Sequence, residues 1–154
     1  MPETVACRPV DPMSDAVAEL AGLFELYRTH YGQSPAPAAT RAWVGEMATS
    51  GQLDFYGAYH GPRVVGFASI HQIPASLGLG RFWQLRDLFA EPTMRRRGIA
   101  RRLVEAIRQA ASDAGALRLS LQTESDNAAA LALYRHCGFT INADLTTLSL
   151  DTAR

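Results

Sequence analysis

The residues best suited to chemistry sit together in Leu85-Arg-Asp-Leu-Phe-Ala-Glu-Pro-Thr-Met-Arg-Arg-Arg-Gly-Ile-Ala100, where a β-rich run passes through a glycine-containing turn into an amphipathic helix. The first backbone N–H groups of a helix have no intrahelical acceptor, and the helix dipole makes that end positive, so the junction suits an anion. Gly98 lets a phosphate approach the backbone with no side chain in the way, and Ala100 keeps the first turn lean. Arg95, Arg96, Arg97, Arg101 and Arg102 add positive charge around it, which points to a di- or triphosphate group. The other reading is a solvated charge run on a helix shoulder. Cys7 and Cys137 lack CxxC or Cys/His ligand spacing and read as buried thiols, and the four histidines are scattered, so no metal is expected.

A frame of alternating elements has to hold this segment. Thr4 to Val10 reads as a strand, and Val17, Leu20, Leu23, Phe24 and Tyr27 recur at helical spacing behind Ser14 as N-cap. Gly32 to Pro37 breaks that helix, and a second runs from about Ala38 to Thr49, closed by Gly51. Leu53 to His60 and Arg63 to His71 form a hairpin through His60-Gly61-Pro62, and a loop with Pro74, Gly78 and Gly80 leads to a third run, Arg81 to Ala90. Beyond Pro92, Ile99, Leu103, Ile107 and Ala110 or Ala111 form the apolar stripe of a helix ended by Gly115. Leu117, Leu119 and Leu121 alternate as a strand, and a last helix spans Asn127 to Cys137 with Gly138 beyond it. Phe139 to Ile141 and Leu145 to Leu150 are expected to close the sheet. The order β-α-α-β-β-β-α-β-α-β-β describes one mixed α/β or α+β domain over residues 1–154, with a parallel pair wherever a helix crosses between strands.

Composition narrows the function classes. The 154 residues carry 15 basic against 15 acidic side chains, every basic one an arginine, and 47% are hydrophobic. This is an ordinary globular balance, and neutrality argues against general affinity for nucleic acid. No apolar run approaches the ~20 residues that cross a bilayer. A soluble, cytoplasmic protein with no membrane partner is expected. The neutrality is uneven: eight arginines lie between Arg81 and Arg108, opposed only by Asp87, Glu91 and Glu105.

The stretch Arg95-Arg-Arg-Gly98-Ile-Ala100 resembles the (Gln/Arg)-x-x-Gly-x-(Gly/Ala) signature of the GCN5-related N-acetyltransferases, a superfamily that binds acetyl-CoA. Its setting agrees: Asp87-Leu-Phe precedes it where the family has its fourth strand, and Asn127 and Tyr134 follow on the helix after the fifth. The Leu-x-Asp-Leu-Phe form, with Tyr27-Arg-x-His-Tyr31 in the first helix, is most similar to the branch of diamine and polyamine acetyltransferases. The resemblance implies a single domain around a mostly antiparallel twisted sheet of six to seven strands with about four helices. It also implies a homodimer.

Further roles follow from the resemblance. Backbone groups of Leu88, Phe89 and Ala90 would pair with the pantetheine arm, and one N–H would stabilise the developing oxyanion. The pyrophosphate would rest on the N–H groups of Arg96 to Arg101, Ile99 included, with Arg95 also on the cofactor side. Asn127 and Tyr134, seven residues apart, share one helix face; one would hold pantetheine and the other reach the sulfur. Tyr134 is the expected general acid. Its reference pKa of about 10 lies above the ~8.5 of the leaving thiol, so the phenol is protonated at neutral pH and can donate to the sulfur. Asp87 and Glu124 are the candidate bases for an acceptor amine, although Arg86 stands where polyamine-type members often carry glutamate. Tyr27, His30, Tyr31 and Trp43, with Trp83 opposite and Asp87 below, are expected to line the substrate side. The leading expectation is acetyl transfer to a small-molecule amine by direct attack. The alternatives are a non-catalytic acetyl-CoA sensor, acetylation of a peptide amine, a covalent route through Cys137, and an arginine-rich nucleic-acid module.

Overall fold

Period-two and continuous apolar runs in the middle of the chain build a sheet, and two kinds of helical stripe cover its faces. The computed structural model describes residues 4–153, which fall into two compact units, one ending at Gln122 and the other beginning at Thr123. In the first unit the order is β1 (Ala6–Pro9), α1 (Ala16–His30), α2 (Pro37–Ser50), β2 (Asp54–His60), β3 (Arg63–Ala75), β4 (Gly80–Ala90), α3 (Ile99–Asp113) and β5 (Leu119–Leu121), with short 3-10 turns at Ser76–Gly78 and Pro92–Met94. The second holds α4 (Ala128–His136).

The five strands lie in the order β1-β2-β3-β4-β5, antiparallel except for the last pair, which is parallel. A helix between strands does not always give a parallel pair. Two helices, α1 and α2, separate β1 from β2, and the extra reversal that the second helix adds returns the chain antiparallel. The sheet has five strands rather than six or seven, because residues 139–153 form neither helix nor strand. Leu145 and Leu148 are three apart, so they fall on opposite faces of any strand, and Ile141, Leu145, Leu148 and Leu150 are all exposed. Ser14 is not the cap of α1 either. Its hydroxyl donates to the Asp11 carbonyl at 2.7 Å, and the helix begins behind Asp15.

One face of the sheet carries α1 and α2. Leu20, Leu23, Phe24 and Val44 pack there against Phe55, Tyr59, Val64, Phe67 and Phe89. The other face receives α3 through Ile99, Leu103, Val104 and Ile107, each at most 2% exposed. α3 can approach closely because β3 has no side chain at Gly66: a Cβ there would lie 2.8 Å from Ile99 Cγ2 and 3.1 Å from the Phe89 carbonyl oxygen. The start of α3 is thus seated directly on the sheet beside β4.

A carboxylate fastens α1 to α2. Glu25 accepts from the Ala36 N–H at 2.8 Å, from the Thr40 hydroxyl, and from Arg28, which also donates to the Ser34 carbonyl. This supplies the start of α2 with an acceptor that Ala36 cannot offer, since its N-cap makes no side-chain bond. The Thr40 and Ala36 hydrogen bonds hold the Glu25 carboxyl below its ordinary value of 4.5, against an opposing effect of burial.

Two outcomes follow. The folded-state pKa of Glu25 is depressed, so its stabilisation is present above about pH 4.5 and is lost as pH falls through the lower folded value. The Tm gap between the natural protein and Glu25→Gln is therefore widest at neutral pH and closes in acid; a gap constant with pH excludes this account. Gly66→Ala costs about 1–3 kcal/mol in urea unfolding by overpacking. In the double variant with Ile99→Ala, which removes the Cγ2 methyl, the two losses fall short of additive, whereas simple additivity would show that Ile99 is not what the new methyl meets.

Candidate active site

The backbone of β4 changes neighbours halfway along. β5 pairs only with Trp83, Gln84 and Leu85, so Arg86 to Ala90 have β3 on one side and no strand on the other. The Glu91 N–H donates to the Val65 carbonyl at 2.8 Å, and in an antiparallel ladder alternate residues point the same way. Asp87 and Phe89 therefore turn their backbone groups to β3, while Leu88 and Ala90 turn theirs to the unpaired edge. An extended chain can add there as a further strand.

The loop after β4 leads into a second set of unpaired donors. α3 has no side-chain cap, its N-cap Gly98 is left-handed at φ 73°, and the first bond into the helix is Arg102 N–H to the Gly98 carbonyl at 3.0 Å. The N–H groups of Ile99, Ala100 and Arg101 precede it and stay free of that ladder. Arg96 is also left-handed, at φ 63°, a conformation that costs energy for a residue with a Cβ and recurs in backbone concavities that hold anions. A Cβ on Gly98 would meet nothing within 4 Å, so that glycine is required by its φ and not by crowding.

The arginines divide. Arg96, Arg97 and Arg101 are exposed around this concavity. Arg102 instead donates to the Val5 carbonyl at 2.9 Å, tying α3 to the start of β1. The Arg95 guanidinium lies over the Phe89 ring, 5.5 Å from its centroid, on the face covered by α1.

On that face Asp87 is held by two hydroxyls. Tyr27 Oη donates to Oδ1 at 3.0 Å and Ser69 Oγ donates to Oδ2. The Tyr27 ring stands edge-on to Tyr31 and Phe67 and tilts against Phe89, and His30 reaches both Tyr31 and Phe89. Tyr31 is 56% exposed, and Trp43, 42% exposed, leans on Phe24. Trp83 does not join them. Ser69 pairs with Asp87 but Ile70 pairs with Leu85, so Arg86 is an extra residue in β4, a bulge that reverses the alternation. Trp83 shares the face of Leu85 and Ile70, opposite Asp87, and is buried at 7%.

In the second unit Asn127 caps α4, its Oδ1 accepting from the Ala130 N–H at 3.1 Å. Tyr134 is half-buried and stands edge-on to Phe139 at 5.8 Å. Glu124 is exposed and its carbonyl accepts from the Asn127 N–H. Cys137 is buried, and neither cysteine is in a disulfide. Among the described residues no three His, Cys, Asp or Glu side chains are grouped to hold a metal ion, and no helix is long and apolar enough to cross a membrane.

Sequence reasoning missed Ser69 and the Arg86 bulge. The signal for Ser69 was a lone hydroxyl in the apolar run Val64 to Ile70, since a buried hydroxyl needs a partner. The bulge had no comparable signal.

Residues 18–139 match the model of the acetyltransferase (GNAT) family. An uncharacterized N-acetyltransferase, YhfO, of Bacillus subtilis (strain 168) is 32% identical over 126 residues, covering 82% of this chain and 84% of its own length. A mycothiol acetyltransferase of Jonesia denitrificans is 28% identical over 148 residues, 90% of this chain but 44% of that protein. Of solved structures, a probable acetyltransferase superposes with a TM-score of 0.87 at 25% identity, covering 98% of this chain and 99% of that one. An aminoglycoside acetyltransferase from an uncultured soil metagenomic sample, solved with sisomicin, has a TM-score of 0.82 at 13% identity and shares the fold, covering 97% of each chain. With a family match across most of its length and a half-strand edge running into an uncapped, glycine-led helix, the chain belongs to the GNAT family and is an acetyltransferase of that type.

Proposed function

We propose that the protein moves an acetyl group from acetyl-CoA to a primary amine of a small molecule, by direct attack in a ternary complex. The observation that carries this is the unpaired edge of Leu88 and Ala90 leading into the free N–H groups of the Arg96 to Arg101 turn. A long ligand with amide groups at one end and phosphates at the other matches that sequence of donors. Bound acetyl-CoA supplies a thioester carbonyl and a thiolate leaving group. Leu88 or Ala90 N–H donates to the carbonyl oxygen as charge develops there. The N–C bond forms as the C–S bond breaks.

An ammonium with a pKa near 10.4 must lose a proton before it can attack. Asp87 takes it, directly or through water, with Glu124 as the alternative base. Tyr134 donates to the sulfur as the general acid, and Asn127, with its Oδ1 capping α4, offers its amide NH2 to the pantetheine arm. Arg96, Arg97 and Arg101, with the backbone at Gly98, Ile99 and Ala100, receive the pyrophosphate. Residues 1–154 act as one N-acetyltransferase domain in this proposal, since the family match spans 18–139. A homodimer belongs to it as well, by resemblance alone, and so does the cytoplasmic location expected from composition. The likeness to the diamine and polyamine branch is taken as one of descent, because Arg86 adjoins Asp87 where that branch often carries a glutamate.

Thiol release from acetyl-CoA, followed against diamines, amino acids, aminoglycosides and peptide N-termini, tests the activity. At least one small amine gives turnover. Binding of CoA without release for any amine identifies a sensor, and release with peptides alone identifies a protein acetyltransferase. Tyr134→Phe lowers kcat by about 10²-fold, the usual share of a general acid, with acetyl-CoA still bound. Loss of turnover in Cys137→Ala with an active Tyr134→Phe reverses the assignment.

A further inference from the structure

The face of β4 under α1 holds two opposite charges that lack counter-ions. Asp87 is half-buried, and both its oxygens accept from neutral hydroxyls, those of Tyr27 and Ser69. These bonds fix its orientation without neutralising it. Two residues on, Phe89 presents its ring on the same face, and the Arg95 guanidinium covers that ring. No carboxylate among the described residues pairs with Arg95; Glu91, the nearest in sequence, is taken by Arg63 at 3.2 Å. A carboxylate without a cation and a guanidinium without an anion thus flank one aromatic ring. Asp87 and Phe89 are same-face neighbours about 7 Å apart along the strand, so the carboxylate and the guanidinium over the ring bracket one short stretch, along which an amino-carboxylate makes a charge-assisted hydrogen bond at each end.

Resting on the acetyltransferase reading, we infer that the acceptor is an amino acid or similar amino-carboxylate with an apolar or aromatic body. Its ammonium lies on Asp87, its carboxylate on Arg95, and its body against the edges of His30 and Tyr31. Asp87 is also the base of the proposed reaction, so this orientation sets the amine, and not the carboxylate, where its proton is taken. A polycation fits poorly: a second positive charge reaching past Asp87 meets Arg86 or Arg95. Arg95 is therefore a specificity residue for the acceptor rather than a phosphate ligand. Arginine suits both tasks, because its plane stacks on a ring while its edge donates two parallel bonds to a carboxylate.

Phenylalanine and phenylalaninamide share one body and differ in the carboxylate charge and, with it, in the basicity of the amine, so the test compares them per unprotonated amine. With acetyl-CoA saturating, kcat/KM favours phenylalanine by about tenfold or more, as a charge-assisted contact gives. In Arg95→Gln the ratio falls to about one, and in Arg95→Lys a preference survives. Calorimetric titration of the same pair into the CoA-bound natural protein shows the same order of affinity and needs no turnover. Equal use of acid and amide by the natural protein overturns the inference, as does a preference for a linear diamine. So does an Arg95→Gln variant whose ratio is unchanged while its acetyl-CoA affinity drops, since that returns Arg95 to the phosphates. Tight, carboxylate-dependent binding with no thiol release for any amine keeps the acceptor site and removes the catalytic reading instead.

Discussion

Much of what this protein does depends on β4 losing its second neighbour after Leu85. A strand paired on both sides offers nothing to a ligand, and a strand paired on neither would not keep its shape. From Arg86 to Ala90 the backbone is held by β3 alone, so its geometry is fixed while its outward donors and acceptors remain unmet by any strand. Such an edge is ordinarily a liability in a soluble protein. Here it is five residues long, and the charged turn of Arg95 to Arg97 follows it, which discourages pairing with a second sheet. The bulge at Arg86 adds a second consequence. By inserting one residue it brings Asp87 onto the α1 face, where Tyr27 and Ser69 meet it, and leaves Leu85 and Trp83 in the opposite core.

The turn into α3 begins at a fixed distance from this edge, and small residues supply that. Gly66 lets Ile99 rest on the sheet next to the Phe89 carbonyl, so the first residue of α3 and the last residues of β4 are set against the same point of β3. The left-handed turns at Arg96 and Gly98 then fit the connection between them. A glycine at 96 would remove the backbone cost, yet an arginine occupies it. Strain retained next to an uncapped helix start is what an anion-binding backbone shows when the side chain has work of its own.

Much of this was legible in the sequence where local rules decide the outcome. The turn at Gly51, the stripe of α3 and the glycine at its start follow from helix caps and period, which are properties of a few adjacent residues. The parallel partner of β4 followed from a helix crossing between two strands. Failures came where a second element decides. Trp83 was expected opposite Tyr27 on the substrate side, but the bulge at Arg86 turns it to the other face, and a bulge is settled by the register of two strands. The expected closing strands have leucines at 145, 148 and 150, which looks β-rich by composition and fails by period. Ser69 lay hidden in an apolar run because its partner is 18 residues away.

The arginine-only cation set also changes meaning once the side chains are located. As a charge run, Arg95 to Arg102 looked like one device for polyphosphate. The structure gives its members separate surroundings: a ring for Arg95, a strained backbone for Arg96, solvent beside the helix start for Arg97 and Arg101, and a β1 carbonyl for Arg102. A lysine would serve the exposed positions nearly as well, since a point charge near phosphate needs little geometry. It would serve Arg95 and Arg102 less well, because stacking on Phe89 and a long reach to a backbone oxygen draw on the planar, delocalised guanidinium. What the positions share is therefore the residue and not the surroundings, and the positive charge of the segment is divided between the start of α3 and the α1 face of β4.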